Sequence, residues 1–448
     1  MKNALLIFAF LSFYLSSVHA SVEIRSNKLT TGDGLANNSI RYMFQDSKGF
    51  MWMGTVNGLS YYDGNSFVSI YPDPNLPISL ADPRIRNMEE DSNGFLWIAT
   101  LSSLYSCYDL KHGRFVDFTG CGEYKQSYSK KIIASDQSIW LWDNNNGCRR
   151  VVYQDGQFSS QAYKKELGNL SSDKVLFVYE SNDSPGHVWI GTKQGLWKYH
   201  DGKLEAMDTQ GESWEHIFSY DQYTCIITGK KEIYRHSLSN NRLEKIASLT
   251  ELGDTGVITG SLRLQHQWVM FTATGSYILD PVTGKLRRFS RLNIKNGNVT
   301  RDNKGNAWVH NYTGNVWYVN TSTGDIKHFQ FLSSEHLGYI DVERYSIIHD
   351  SRDIIWITTY GNGLFAYDLN TGDLQHFTFE VSHSSHINSN YLQYIIEDRS
   401  GGIWVSSEFS GLSHLEILNK GTLRIYPNGE DASDRSNTIR MLLRAKTV

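Results

Sequence analysis

Residues 39–64, SIRYMFQDSKGFMWMGTVNGLSYYDG, decide the fold, because most of the remaining chain reads as weaker copies of them. An apolar run over 39–44 meets a turn at Asp46-Ser47-Lys48-Gly49, and a second run over 50–55 meets another at Val56-Asn57-Gly58. Residues 59–62 are closed by Asp63-Gly64, and 66–71 form a fourth run. Runs rich in aromatic and β-branched residues, cut by Asn, Asp and Gly, describe short antiparallel strands joined by hairpins. Four such strands make one small sheet, which cannot bury both of its faces without neighbours.

The neighbours are in the sequence. Residues 91–100, DSNGFLWIAT, nearly superpose on the first copy, and later copies centre on Trp140, Trp189, Trp268, Trp308, Trp356 and Trp404. Between Trp189 and Trp268 a further copy carries Ile226 at the tryptophan position, after the turn acid Asp221. A spacing of roughly 40 to 50 residues is the period of propeller blades, so the fold class is all-β, a β-propeller of four-stranded blades. A tenth copy begins at Asn437-Thr438-Ile439-Arg440, echoing Asn38-Ser39-Ile40-Arg41.

Counted from Trp52, the seventh blade ends near Phe331. The expected organisation is therefore a seven-bladed ring over 21–335, then two blades and the first strand of a third over 336–448, the start of a second ring, with the joint at 333–338. One larger ring of nine, or of ten with the terminal strand shared, fits the same spacing. Residues 21–31, SVEIRSNKLTT, resemble the fourth strand of later copies. This predicts closure of a ring by pairing the first strand of the chain with the last blade, which removes exposed edges.

Lys2 precedes an apolar run over 4–15, and Val18-His19-Ala20 supplies small residues for cleavage, so 1–20 read as a secretory signal peptide. The run is short for a membrane span, and the expected location is the periplasm. Seven prolines against 12 tryptophans and 26 tyrosines argue against disorder. A net charge of −4 without a basic run argues against nucleic acid as a partner. Cys107, Cys121, Cys148 and Cys225 are too scattered for a disulfide scaffold or a metal site. Cys107 and Cys148 occupy comparable positions in adjacent copies, either as one bridge or as buried thiols.

Asp46, Asp91, Asp302, Asp350 and Asp398 each stand just before a hairpin. There a carboxylate accepts backbone N–H groups of the turn while Gly49, Gly94, Gly305 or Gly401 takes positive φ, so the acids are read as structural. Trp52, Trp97, Trp189, Trp356 and Trp404 are read as wedges between neighbouring sheets, with the indole N–H on a local partner. Gly58, Gly195, Gly363 and Gly411 mark the second hairpin.

Function is expected where copies differ, in the loops entering the innermost strands and joining second to third strands, which gather at one mouth of the channel. Those loops are 71–86, 120–129, 142–147, 360–363 and 383–391. They supply the candidate ligand-binding residues Arg84, Arg86, Trp142, Asn144, Tyr360 and Asn362, with Asn145, His383 and His386 beside them. Aromatic faces with amide and guanidinium donors suit a sugar ring, and Arg suits an acidic one. There is no nucleophile elbow, HExxH, glycine-rich phosphate loop or CxxC, so the chain reads as no enzyme, with no catalytic residue, metal or cofactor. A secreted propeller glycoside hydrolase or lyase, or a passive scaffold, is the alternative.

The pattern D-x-x-G-x-x-W-[IVM]-[GAT]-T-x-x-G-L, then Y-x-Y-D-G or A-Y-D-L-N-T-G, resembles the two-component regulator propeller repeat of the periplasmic sensor region of Bacteroidetes hybrid systems. Gly34-Leu35-Ala36-Asn37-Asn38-Ser39-Ile40 ahead of the first copy is close to that family's opening. Copies one, two, four, eight and nine carry the resemblance strongly. It implies paired seven-bladed rings ahead of a sandwich, a membrane helix and a histidine kinase, and a sensing role answering to oligosaccharides. The kinase region is absent from these residues, so kinase activity is assigned to none of them. The implied partners are an oligosaccharide and a membrane-anchored kinase or a second sensor chain.

Overall fold

The computed structural model describes residues 23–119, 128–181, 184–208, 213–229, 232–254, 257–302, 304–311, 315–330, 346–380 and 386–418. Each copy folds as its punctuation dictates. In the first, the Gly49 N–H donates to Asp46 O at 3.0 Å and the Asp46 N–H to Phe50 O at 3.0 Å, closing the hairpin between Ile40–Gln45 and Met51–Thr55. Gly49, Gly94, Gly305 and Gly401 all take positive φ, and in the eighth copy Asp353 takes that conformation at φ 67°. Ile226 stands opposite Phe218 as Trp52 stands opposite Phe44, so it does occupy the tryptophan position of its copy.

Among the described residues the strands form nine four-stranded antiparallel sheets, blades 1 to 9 in chain order. Blades 1 to 8 span 40–70, 85–116, 130–163, 175–208, 214–248, 260–288, 298–330 and 346–377. Nine apolar cores lie between the sheets, one per adjacent pair, and the circle closes because blade 9 packs Trp404 and Leu412 against Ile40 and Met53 of blade 1.

One ring of nine blades therefore replaces the expected seven plus two. The reason is an open edge. Blade 7 already owns four strands, from Asn298–Arg301 to Ile326–Gln330, and so offers the N-terminal strand no place. Blade 9 owns three, Leu392–Glu397, Ile403–Ser407 and Leu412–Leu418, and Glu23–Leu29 completes it, running from Glu23 opposite Leu418 to Leu29 opposite Leu412. Across the expected joint the packing continues, since Trp308 and Val316 of blade 7 share a core with Ile347, Ile355 and Ile357 of blade 8. Residues 1–20, 333–338 and 437–440, which carry the signal peptide, joint and tenth-copy readings, lie outside the described residues.

Three positive-φ glycines show how well the borrowed strand imitates a native one. A Cβ on Gly147 would lie 2.2 Å from Tyr163 O, on Gly363 2.3 Å from Phe377 O, and on Gly411 2.3 Å from Leu29 O. Leu29 thus ends its strand where the fourth strands of blades 3 and 8 end. Ile24 enters the core with Ile354, Trp356 and Leu415, and Ser26 Oγ donates to His386 O at 2.6 Å.

The recurrent acids accept N–H groups of their turns, and in four blades the acid is also the indole partner. Trp52, Trp97, Trp356 and Trp404 donate to Asp46, Asp91, Asp350 and Asp398 at 2.7–2.9 Å. The expectation of a local partner fails in blades 3, 4, 6 and 7, where Nε1 of Trp140, Trp189, Trp268 and Trp308 is buried without one. Cys107, Cys148 and Cys225 are buried free thiols, and Cys107 and Cys148 sit in different interblade cores, so they form no bridge; Cys121 lies outside the described residues. Among the described residues no helix is long and apolar enough to cross a membrane.

Candidate functional site

The innermost strands of blades 2 and 3, Ile85–Glu90 and Lys130–Ile133, start at the predicted mouth of the channel. In the first of them Ile85 and Met88 turn into the core, and the register shifts between Ile85 and Asn87, leaving Arg86 outside the ladder. A bulge of this kind re-aims a side chain. Blade 1 has the same shift at Arg41, whose guanidinium lies 3.7 Å from the buried carboxylate of Glu408. Arg86 has no hydrogen bond or ion pair among the described residues.

A cleft of about 330 Å³ opens there, lined by Arg86, Glu89, Tyr105, Lys130, Lys131 and Trp142 among others. The Lys131 side chain is 5% exposed and its ammonium pairs with Glu89, which is half exposed. Burial pulls Lys131 down to about 8, because the charged form loses water. Burial pushes the Tyr105 hydroxyl well up, so it stays protonated and able to donate. The Trp142 indole N–H is buried without a partner. Donors therefore outnumber acceptors on a wall that is partly aromatic, an arrangement able to hold hydroxyl and carboxylate oxygens.

Of the six predicted ligand residues, the structure brings Arg86 and Trp142 together. Arg84 lies close by in sequence but forks onto Asp82, Nε to Oδ1 at 3.0 Å and Nη2 to Oδ2 at 2.8 Å. Asn144 and Asn145 are exposed in a loop braced by Asp143, which accepts the Asn145 and Asn146 N–H groups. Tyr360 and Asn362 are on blade 8, where Tyr360 meets Tyr391 edge-on at 5.2 Å and Asn362 O lies 2.6 Å from His376 Nε2. His386 supports the seam through its carbonyl, and His383 lies outside the described residues.

Sequence reasoning missed Glu89, Tyr105, Lys130 and Lys131 because it searched loops. One signal was available. Lys131 pairs with Leu141 as Met43 pairs with Met53 and Met88 with Ile98, so a lysine occupies an inner-strand position that methionine fills in blades 1 and 2. Among the described residues no group of three or more His, Cys, Asp or Glu is placed to hold a metal ion.

Residues 34–57 and 79–102, which contain the first two Asp–Trp pairs and four of the nine residues lining the cleft, match the family described as two component regulator propeller. Both stretches are similar to that repeat. No curated protein matches the chain by sequence. Among solved structures, the repeat-bearing chain is similar to the extracellular domain of BT4673 from B. thetaiotaomicron, described as a hybrid two component system, at 17% identity and TM-score 0.40, over 88% of this chain and 58% of that one. A second extracellular domain, of the hybrid two component system BT3049 from B. thetaiotaomicron, aligns at 19% identity and TM-score 0.32, over 89% and 67%. The chain thus spans less than two thirds of the BT4673 domain. The Dos1 propeller aligns at 11% identity and TM-score 0.50, over 88% and 94%, a likeness of fold alone.

Proposed function

We propose that this chain is the ligand-sensing propeller region of a two-component signalling system, acting in the periplasm, and that its ligand is an oligosaccharide held in the cleft between blades 2 and 3. The matched repeats, which give the family its name, support the signalling role. The observation that carries the ligand reading is the cleft itself, where an unpaired Arg86, the protonated Tyr105 and the Trp142 ring line one space. A saccharide offers both the apolar ring face and the dense hydroxyl oxygens that such a surface takes up. Binding across two blades stabilises their relative placement, and a membrane-anchored kinase that contacts the ring in one arrangement would read the change as a population shift.

Calorimetry of the whole chain against neutral and acidic oligosaccharides tests this. Saturable heat with at least one sugar is expected, weakened about tenfold by Arg86→Gln, the loss of one charge-assisted contact. Silence across the panel, or an affinity untouched by Arg86→Gln and Trp142→Phe together, overturns it.

A further inference from the structure

A second opening lies on the opposite face, between blades 6 and 7. It is a groove of about 530 Å³ lined by Arg263, Gln265, His266, Arg301, Thr321 and Ser322, with no carboxylate among the lining residues. Elsewhere several arginines are neutralised by a neighbouring acid, Arg150 by Asp136, Arg235 by Glu244 and Arg352 by Asp350. Neither arginine of the groove has such a partner among the described residues.

Its frame is fixed. The Gln265 N–H donates to Thr321 O at 2.7 Å and Gln265 Nε2 to Thr323 O at 3.2 Å, clamping the first hairpin of blade 6 to the last hairpin of blade 7. Arg291 Nη2 adds a bond to Gly324 O at 2.8 Å. Gln265 holds φ 54°, a left-handed conformation that only a well-determined turn sustains. Arg263 is held by Nη1 to Tyr220 O at 2.8 Å and Nε to Gln265 O at 3.1 Å, with its guanidinium 5.2 Å over the Tyr220 ring. Those bonds use Nε and Nη1 and leave Nη2 without a hydrogen bond among the described residues.

Arg301 ends the inner strand Asn298–Arg301 and is exposed, and among the described residues its side chain has no hydrogen bond, ion pair or ring contact. The His266 ring is equally unengaged. One anchored and one free guanidinium beside the hydroxyls of Thr321 and Ser322, with no carboxylate in the lining, make a positively charged surface rich in donors. We propose that this groove is a second ligand site, separate from the cleft of blades 2 and 3, and that it binds an oxyanion: sulfate, a phosphate monoester or a carboxylate. Guanidinium groups match such oxygens in pairs, and hydroxyls complete the shell.

The test titrates the whole chain, at low ionic strength, with inorganic sulfate, inorganic phosphate, glucose 6-sulfate and glucose. Saturable binding of an anion is expected, weakened about tenfold in Arg301→Gln and unchanged in Lys203→Gln, an exposed lysine on the outer strand of blade 4. Equal affinity for sulfate and glucose 6-sulfate supports a free anion as ligand. Tighter glucose 6-sulfate with inert glucose supports an anionic substituent on a larger molecule. Because Arg301 has no partner to lose, its variant should melt as the native chain does, so a binding loss is not a folding loss. No saturable binding of any anion, full binding in Arg301→Gln, or a loss confined to Arg86→Gln overturns the proposal; the last outcome would place the anion in the other cleft and leave the function proposed above standing.

Discussion

Asp350 Oδ2 accepts the indole N–H of Trp356 at 2.9 Å, and both side chains are cut off from solvent. The same carboxylate takes the N–H groups of Arg352 and Ile354 at 2.9 Å on its other oxygen. One side chain therefore closes a hairpin and anchors the wedge between two blades.

Asp350→Ala should cost about 3 kcal/mol, since it strands a buried indole N–H and a buried turn N–H together. Asp302→Ala should cost less, because Asp302 Oδ2 and Trp308 Nε1 make no hydrogen bond, and what is lost is the turn bonds to Lys304 and Asn306 and a 3.9 Å approach to His349 Nδ1. Thermal or chemical denaturation of the two variants ranks them, and equal costs would count against the anchoring role.

Removing residues 23–29 should open the ring. Leu412–Leu418 would show a bare edge and the core around Leu415 would lose Ile24, so association through that edge is expected in size-exclusion chromatography, with a sharply lower Tm. Gly411→Ala should act in the same direction, because its Cβ would meet Leu29 O at 2.3 Å on a backbone at φ 79°. Gly64→Ala is the comparison, with φ 98° and nothing within 4 Å, and should cost only the left-handed conformation, about 1 kcal/mol.

Acid should weaken the fold above the carboxylate range. Burial holds both His236 and His310 down to about 4, with Lys198 also opposing the charge on His236. In the unfolded chain each titrates near ~6.5, so between roughly 6.5 and 4 the unfolded state binds the extra protons and stability falls with pH, by a few kcal/mol for the pair. Tm measured from pH 7 to 4 should decline, and His310→Phe should flatten the decline. A slope unchanged in that variant would remove His310 from the explanation.

Lys131→Met should leave Tm unchanged or raise it, since methionine already fills the matching position in blades 1 and 2. With its pKa at about 8, below the unfolded value, Lys131 carries a burial penalty at neutral pH that is relieved as pH rises from about 8 toward ~10.5. The variant should lose that rise in stability, and any acidic ligand of the cleft should bind it more weakly. A drop in Tm of many degrees would show instead that the pair with Glu89 holds the blades together.

The blade unit was legible because its information is local. Turn acids, positive-φ glycines and an alternating apolar run are read within some thirty residues, and even the missing tryptophan at Ile226 was found that way. How the copies divide into rings was not, because every blade presents the same two apolar faces and the ring ends only where a sheet lacks its fourth strand, a relation between Leu29 and Leu412 almost the whole chain apart. The site was half legible for a related reason. Arg86 and Trp142 stand at loop boundaries, whereas Lys131 and Tyr105 belong to strands and reach the cleft only once two blades stand side by side.

Because Glu23 faces Leu418 across an antiparallel seam, the two ends of the described chain leave the disc side by side. A tension applied between them would load the seam from that end, rupturing its hydrogen bonds in succession like a zipper instead of shearing them all at once. The ring would thus give way first at its tethers. Force delivered through the termini would free a single strand of blade 9 long before it disturbed the other eight blades.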